Sequence, residues 1–392
     1  MNMMESTFPE KHTRIYLDWA ATAIPCTSQD PVSNLEFFAN PSSIHREGRL
    51  AKEALESARL RCAAVLGVPP EKLYFTSGGT ESNALVLHSV ILKKGKNCLL
   101  YSDTEHPSVR ENCLLLKKLG LPTGIIGVEK DGRISEENFD SALKKKSDTR
   151  FAMLMGVNNE TGSINDLASL VSLARSREAE RRLPIHIHAD LVQALGKVPI
   201  DLSKLDSAAF SAHKLGGPRG IGLLYLKKPL ESLYAGGGQE RGQRPGTENT
   251  FGALTLALLL EKRARPEIME EEAKKAAVRF SYLIGELRKI KRCSLIPEDR
   301  KNDDPRFSPW ILQLRFRDVP GAVMVRALDD SGIAVSTGSA CSSTSNERPV
   351  LSAMGLSESE RLEGFRISQG WTTEKVDFDT LLSGIEKALS CL

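Results

Sequence analysis

The chain has 392 residues, 41% of them apolar and 26% charged, which fits a folded globular protein and is too apolar for disorder. Its 53 basic and 50 acidic side chains leave a net charge of +3, so it carries no basic field of the kind that dominates nucleic-acid binding. Seven cysteines, an odd number with no C-x-x-C pair, need no disulfide framework in a chain this long and point to a reducing compartment.

The first residues, Met1 to Thr13, carry Glu5, Glu10 and Lys11 without an apolar segment, so no secretory signal is expected. A helix is predicted from Glu47 to Leu66, with Leu50, Ala54, Ala58 and Val65 on one stripe. Gly67 stops it and Pro69-Pro70 seals the end. From about residue 70 to 230 short apolar runs alternate with amphipathic ones. Strands are expected at Cys98 to Tyr101, Gly124 to Val128, Phe151 to Val157, Ile185 to Ala189, Ala208 to Ser211 and Ile221 to Leu226. Several are apolar on both faces, as in a buried, mostly parallel sheet, and a helical pattern of Ile164, Leu167, Leu170, Val171 and Ala174 lies between them. Such alternation predicts an α/β sheet covered by helices. Thr250 to Lys291 reads as helical with a break near Pro266, Trp310 to Phe316 as a half-buried strand, and Asp377 to Cys391 as a closing helix. The longest apolar run, Phe251 to Leu260, is about half of what a bilayer requires. A soluble, cytoplasmic protein is expected, with a smaller α+β domain from about residue 265 onward.

Four segments carry chemistry. Phe75-Thr-Ser-Gly-Gly-Thr-Glu-Ser-Asn83 runs from a strand through a Gly pair into a helix predicted from Ser82 to Leu92. Its backbone amides and dipole suit a phosphate, though an ordinary capped turn has the same look. In Ile185-His-Ile-His-Ala-Asp190, His186, His188 and Asp190 share one strand face. A metal reading is open there, but no further His/Asp cluster downstream completes a coordination shell. Ser211-Ala-His213-Lys214 precedes a Gly-rich turn, where a lysine can be held with a lowered pKa for Schiff-base chemistry or can be an ordinary surface lysine. The order decides between them. An acid at a strand end, then a lysine about two dozen residues on, with a phosphate cradle upstream, is what pyridoxal phosphate needs. Finally, Ser336-Thr-Gly-Ser-Ala-Cys341-Ser-Ser keeps a thiol among small residues, whereas Cys62 and Cys98 sit among apolar ones.

Taken together these segments resemble the cysteine desulfurases, pyridoxal-phosphate enzymes of the class V aminotransferase-like superfamily. The resemblance runs from Tyr16-Leu-Asp-Trp-Ala-Ala-Thr22 through Asn40-Pro-Ser-Ser-Ile-His-Arg46 and Val157-Asn-Asn-Glu-Thr-Gly162 to Phe365-Arg-Ile-Ser-Gln-Gly370. Its most specific parts are Ser-Ala-His-Lys-Leu-Gly-Gly-Pro, Gly236-Gly-Gly-Gln-Glu-Arg-Gly-Gln-Arg-Pro-Gly-Thr247 and Gly-Ser-Ala-Cys-Ser-Ser. It implies the aspartate aminotransferase-like fold of pyridoxal-phosphate-dependent transferases. A large, mostly parallel sheet domain over 16–264 would join a small α+β domain over 265–392, with segment 1–15, carrying the catalytic cysteine loop.

Carried onto this chain, the resemblance makes Lys214 the imine-forming lysine and Asp190 the partner of the pyridinium nitrogen. His106 would stack on the ring and shuttle a proton, and Gln193 would bond the ring hydroxyl. Thr80, Ser211 and His213, beside Gly79, would hold the phosphate, and Thr247 would reach the phosphate of a neighbouring subunit in a homodimer. Asn159, next to the cofactor, and Arg366 would bind the substrate carboxylate, and Cys341 would be the nucleophile. The implied reaction takes sulfur from L-cysteine onto Cys341 as a persulfide and releases L-alanine. An acceptor protein, an iron–sulfur scaffold or a sulfur relay, would then receive the sulfur. A selenocysteine lyase and a class V aminotransferase of other specificity are the alternatives. Trp19, Gln369 and Trp371 depart from the family's usual residues around the expected pocket rim.

Overall fold

The computed structural model describes residues 14–26, 37–93, 97–338 and 348–391. A two-residue strand, β1 (Ile15–Tyr16), leads to the long helix α1 (Arg46–Leu66). The His45 side chain caps α1 by accepting from the Gly48 amide, and Gly67 ends it at φ 66°, the left-handed turn its glycine permits. Strands and helices then alternate as β2 (Leu73–Thr76), α2 (Gly79–Leu92), β3 (Cys98–Ser102), α3 (Pro107–Lys118), β4 (Thr123–Ile126) and α4 (Glu136–Lys145). They continue as β5 (Thr149–Met155), α5 (Leu167–Arg181), β6 (His186–Asp190), β7 (Ser207–Ser211) and β8 (Gly222–Leu226). Two helices follow, α6 (Thr250–Arg263) and α7 (Pro266–Leu287), with the break at Pro266. The last part is β9 (Cys293–Leu295), β10 (Ile311–Phe316), α8 (Gly321–Asp330), β11 (Ile333–Ala334), α9 (Pro349–Ala353), α10 (Glu358–Glu363), β12 (Gly364–Ser368) and α11 (Lys375–Cys391).

Strands β2 to β8 form one sheet in the order β2-β8-β7-β6-β5-β3-β4. β8 runs antiparallel to both neighbours and the other pairs are parallel. Its middle strands are apolar on both faces because helices cover both. Leu154, Ile187, Phe210 and Leu223 meet Ala58 of α1 and Leu256 and Leu260 of α6 in one core. A second core gathers Leu17, Phe280, Leu312, Leu314, Phe365 and Phe378 around the antiparallel sheet β12-β10-β9. β1 pairs with β11, so the start of the chain is stitched to its last third.

Two boundaries differ from the sequence expectation for a local reason. β5 ends at Met155 rather than Val157, because Val157 forms a bridge with Ile164, and the same bridge keeps Ile164 out of α5. α2 begins at Gly79, three residues before Ser82, because Gly78 takes φ 150°, a conformation that lets the chain turn straight into the helix. Among the described residues no helix is long and apolar enough to cross a membrane.

Candidate active site

The segments that follow β2, β3, β5, β6 and β7 open on one cavity of about 250 Å³. This is where open α/β sheets collect ligands. The cavity is lined by Gly79, Thr80, His106, Asn159, Asp190, Gln193, Ser211, His213 and Lys214, together with Ser108, Met155 and Val192. Nine residues singled out from widely spaced motifs are thus brought together. A larger cavity of about 610 Å³, between Ile164, Val171, Leu205 and Arg306, contains none of them.

One end of the cavity is built for an anion. α2 starts at Gly79, its N-cap Gly78 offering no side-chain cap, so its first-turn amides are left for another acceptor. Space is kept by the glycines. A Cβ on Gly79 would lie 2.5 Å from Val192 Cγ2, and one on Gly78 would point at Ser211 Oγ, 3.5 Å away. Glu81, the acidic residue of that turn, is engaged by Arg244 at 3.1 Å and by the Ser77 amide. His213 contributes a ring whose Nδ1 lies 3.2 Å from Thr22 Oγ1, and burial with nearby Lys214 lowers its pKa to about 4.

At the floor, Asp190 ends β6 with both carboxylate oxygens held. Oδ1 accepts from the Val192 amide at 3.0 Å and Oδ2 from Asn83 Nδ2 at 2.8 Å. His106 precedes α3 and caps it, its Nδ1 accepting from the Ser108 amide at 3.1 Å. An Nδ1 that accepts leaves the proton on Nε2. Burial lowers the His106 pKa, so the ring is kept neutral.

Lys214 sits in the 3₁₀ turn after β7. Its Nζ donates to the Ala20 and Ala21 carbonyls at 2.6 and 2.7 Å. Burial, and then Arg366, lower its pKa to about 8, against the opposing pull of Asp18 and Asp190. About a tenth of this amine is therefore free base at pH 7, far more than for an ordinary lysine. Gln193 shares the Ala20 carbonyl, to which its Nε2 donates at 2.8 Å, while its Oε1 accepts from Lys197 Nζ at 3.0 Å. That second bond fixes the amide with its donor side forward.

Arg366 on β12 does not line the cavity; it lies behind it, bonded to Asn159, which does. Its NH1 donates to the Asn159 and Gly338 carbonyls at 2.7 and 2.9 Å, and its NH2 pairs with Asp18 at 2.6 Å. Its Nε has no partner among the described residues. Cys341 lies outside the described residues. The chain on either side of it is held, Gly338 by Arg366 and Arg348 through the Gly364 carbonyl at 3.1 Å. Thr247 is not in the cavity; it is exposed on the segment between β8 and α6.

The sequence profile of the class-V aminotransferase family matches residues 15–381. The chain belongs to the class-V aminotransferase family. Cysteine desulfurase IscS of Dictyoglomus turgidum is 34% identical over 390 residues, covering 96% of this chain and 95% of its own. That of Proteus mirabilis is 35% identical over 400 residues, covering 96% and 93%. Among solved structures, a NifS-like protein superposes with a TM-score of 0.86 at 31% identity, covering 97% of this chain and all of the other. SspA in complex with cysteine superposes with a TM-score of 0.76 at 29% identity, covering 90% of this chain and 98% of the other.

Membership in the class-V aminotransferases implies pyridoxal-phosphate dependence, and the residues present fit that group. The uncapped α2 terminus and glycine cradle suit its phosphate, the Asp190 carboxylate its ring nitrogen, and the Lys214 amine its aldehyde. Several residues that shape the site escaped the sequence reading. Asp18, Asn83, Ser108 and Lys197 act through partners far away in sequence, although Asp18 and Asn83 lie inside motifs that were read for other residues. The departures at Trp19, Gln369 and Trp371 do not line the cavity. Trp19 and Trp371 meet edge to face at 6.0 Å, and a Cβ on Gly370 would lie 1.9 Å from Trp19, so the glycine leaves room for the large ring. Gln369 is buried and donates to the Ala276 and Pro309 carbonyls at 2.8 and 2.7 Å.

Proposed function

We propose that this chain is a pyridoxal-phosphate-dependent cysteine desulfurase, which takes sulfur from L-cysteine and releases L-alanine. The observation that carries the reading is the convergence of Lys214, Asp190 and His106 on one cavity beside an uncapped helix end. The cofactor, when bound, supplies an electron sink that acidifies the Cα proton of an attached amino acid.

The chain's own residues do the rest. The α2 amides with Gly79, Thr80, Ser211 and His213 bind the phosphate. Asp190 would pair with the ring nitrogen, His106 would lie against the ring, and Gln193 would donate to the ring hydroxyl through the Nε2 that its bond to Lys197 turns forward. Lys214 Nζ, in part free base, would hold the cofactor's aldehyde and move the Cα proton. Asn159 and Arg366 orient the substrate carboxylate, for which Arg366 must exchange its bond to Asp18. Cys341 Sγ attacks the substrate sulfur as thiolate. An S–S bond forms, the substrate C–S bond breaks, and the carbon skeleton takes up protons and leaves as alanine.

Cys341 is three residues from Gly338 in sequence, and the Gly338 carbonyl shares Arg366 with that of Asn159, a residue that lines the cavity. Three other cysteines are poor nucleophiles. Burial pushes Cys62 and Cys293 up to about 12 and Cys98 to about 11. The same reading makes the molecule a cytoplasmic homodimer in which exposed Thr247 serves the neighbouring subunit's phosphate. It divides the chain at 16–264 and 265–392, the latter with segment 1–15. The persulfide passes to an acceptor protein, an iron–sulfur scaffold or a relay.

Borohydride reduction of the cofactor-loaded protein, followed by peptide mapping, tests the assignment. The adduct is expected on Lys214 and lost in Lys214→Ala; an adduct that survives in that variant refutes it.

A further inference from the structure

The His186-x-His188-x-Asp190 face of β6, which in sequence invites a metal, is occupied by something else. His186 Nε2 lies 2.7 Å from Ser207 Oγ, which lies 2.8 Å from His188 Nδ1. His188 Nε2 lies 2.8 Å from Asn83 Oδ1, and Asn83 Nδ2 lies 2.8 Å from both Asp190 Oδ2 and Ser108 Oγ. Ser108 Oγ in turn lies 2.8 Å from His106 Nδ1. β7 supplies Ser207 directly opposite His188, and α2, lying over this face, supplies Asn83.

The direction of every bond is fixed by its neighbours. The Asp190 carboxylate only accepts, so Asn83 must turn its NH₂ toward it and its Oδ1 toward His188. His188 Nε2 must then carry the proton. His188 is fully buried, and burial lowers its pKa to about 3, so the ring is neutral and its Nδ1 accepts. Ser207 therefore donates to His188 and accepts from the Nε2–H of His186. The second N–H of Asn83 feeds Ser108, whose hydroxyl proton goes to His106 Nδ1. All donors point the same way, from the wall of a separate cavity of about 510 Å³ at His186 into the active-site floor.

We propose that His186, Ser207, His188 and Asn83 form a one-way hydrogen-bonded chain of positioning residues that fixes the orientation of the Asp190 carboxylate and sets the His106 tautomer. Bonds aligned head to tail polarise one another, and this alignment favours negative charge at the Asp190 end. The chain also explains His186, Ser207 and His188 in an otherwise apolar sheet, with Asn83 of α2 against them: each member is satisfied only while the others keep their orientation. This inference rests on the desulfurase reading for its catalytic consequence, but not for its hydrogen-bond pattern.

Histidine-selective ¹⁵N labelling tests the pattern, since the chain has only 7 histidines. In the purified protein, with or without added pyridoxal phosphate, His186, His188 and His106 should all be neutral with the proton on Nε2. An Nδ1–H tautomer or an imidazolium at His188 overturns the proposal. For the consequence, Ser207→Ala should lower kcat for alanine release by roughly fivefold, leave KM for cysteine unchanged and displace the bound cofactor's visible band. Ser207→Thr, which keeps the hydroxyl, should restore both. Unchanged kcat and spectrum in Ser207→Ala overturn the positioning role, and if that variant fails to fold, the wild-type tautomers decide. A protein that binds no pyridoxal phosphate yet shows the three Nε2–H tautomers refutes the desulfurase reading and leaves the chain of bonds standing.

Discussion

Lys197→Met should make the protein more stable and its cofactor less firmly held. Lys197 is 2% exposed, and its ammonium has one hydrogen-bond partner among the described residues, Gln193 Oε1 at 3.0 Å. Burial first, and then the charges of Lys214, Arg366 and Arg263, lower its pKa from 10.5 to about 7. The unfolded chain, with the higher pKa, binds more protons between those values, so wild-type stability rises with pH across that window. At pH 7 the penalty of the buried amine is about 4 kcal/mol, and near pH 9.5 it has fallen to about 1 kcal/mol. Losing the bond to Gln193 subtracts about 1 kcal/mol at either pH. Urea unfolding followed by the fluorescence of the three tryptophans should therefore show Lys197→Met about 3 kcal/mol more stable than wild type at pH 7. Near pH 9.5 the two should be about equally stable. The freed Gln193 amide can rotate, so pyridoxal phosphate should be lost faster on gel filtration. A variant less stable than wild type at pH 7, or a difference that does not change with pH, refutes the reasoning.

Glu240 is joined to Arg59 by bonds of 2.7 and 2.8 Å, with both side chains almost completely buried, and it accepts from the Phe75 amide. Glu240→Gln should cost about 3 kcal/mol by leaving Arg59 short of charge. It should also weaken cofactor retention, since Glu240 and Arg241, at φ 47° and 54°, open the segment that leads to Thr247; thermal unfolding and gel filtration check the two effects. The rate of pyridoxal-phosphate uptake by the free protein should rise with pH and level off above about pH 8, as the Lys214 ammonium gives up its proton. Stopped-flow absorbance reads this directly, and a rate that falls over the same range contradicts the Lys214 environment.

The alternation of strands and helices was legible because a sheet covered on both faces needs continuous apolar strands, and Phe151 to Met155 is such a run. Lys214, Asp190 and the Gly78-Gly79 turn were legible because an acid, a lysine and a phosphate cradle fall in the order that pyridoxal phosphate needs, and the other cavity residues were legible only through the family resemblance. Their support was not. Asn83 meets Asp190 and His188 across 107 and 105 residues, a closeness set by the way α2 lies over β6 and β7. Lys197 reads as a surface lysine four residues after Gln193, and only the packing of Trp310, whose Nε1 donates to the Lys197 carbonyl at 3.3 Å, shows it buried. The small strands β9 and β12 were missed as well. They are short, and their pairing with β10 depends on residues 19 to 57 positions away rather than on a pattern of their own.

The most direct measurement is a single turnover with L-cysteine on the cofactor-loaded protein, reading released alanine and the mass of the peptide that contains Cys341. One alanine per active site and one added sulfur atom on Cys341 are predicted, with both lost in Cys341→Ala while the cofactor's visible band persists. Alanine released at the wild-type rate by Cys341→Ala, or sulfur carried on any other cysteine, would contradict the desulfurase reading.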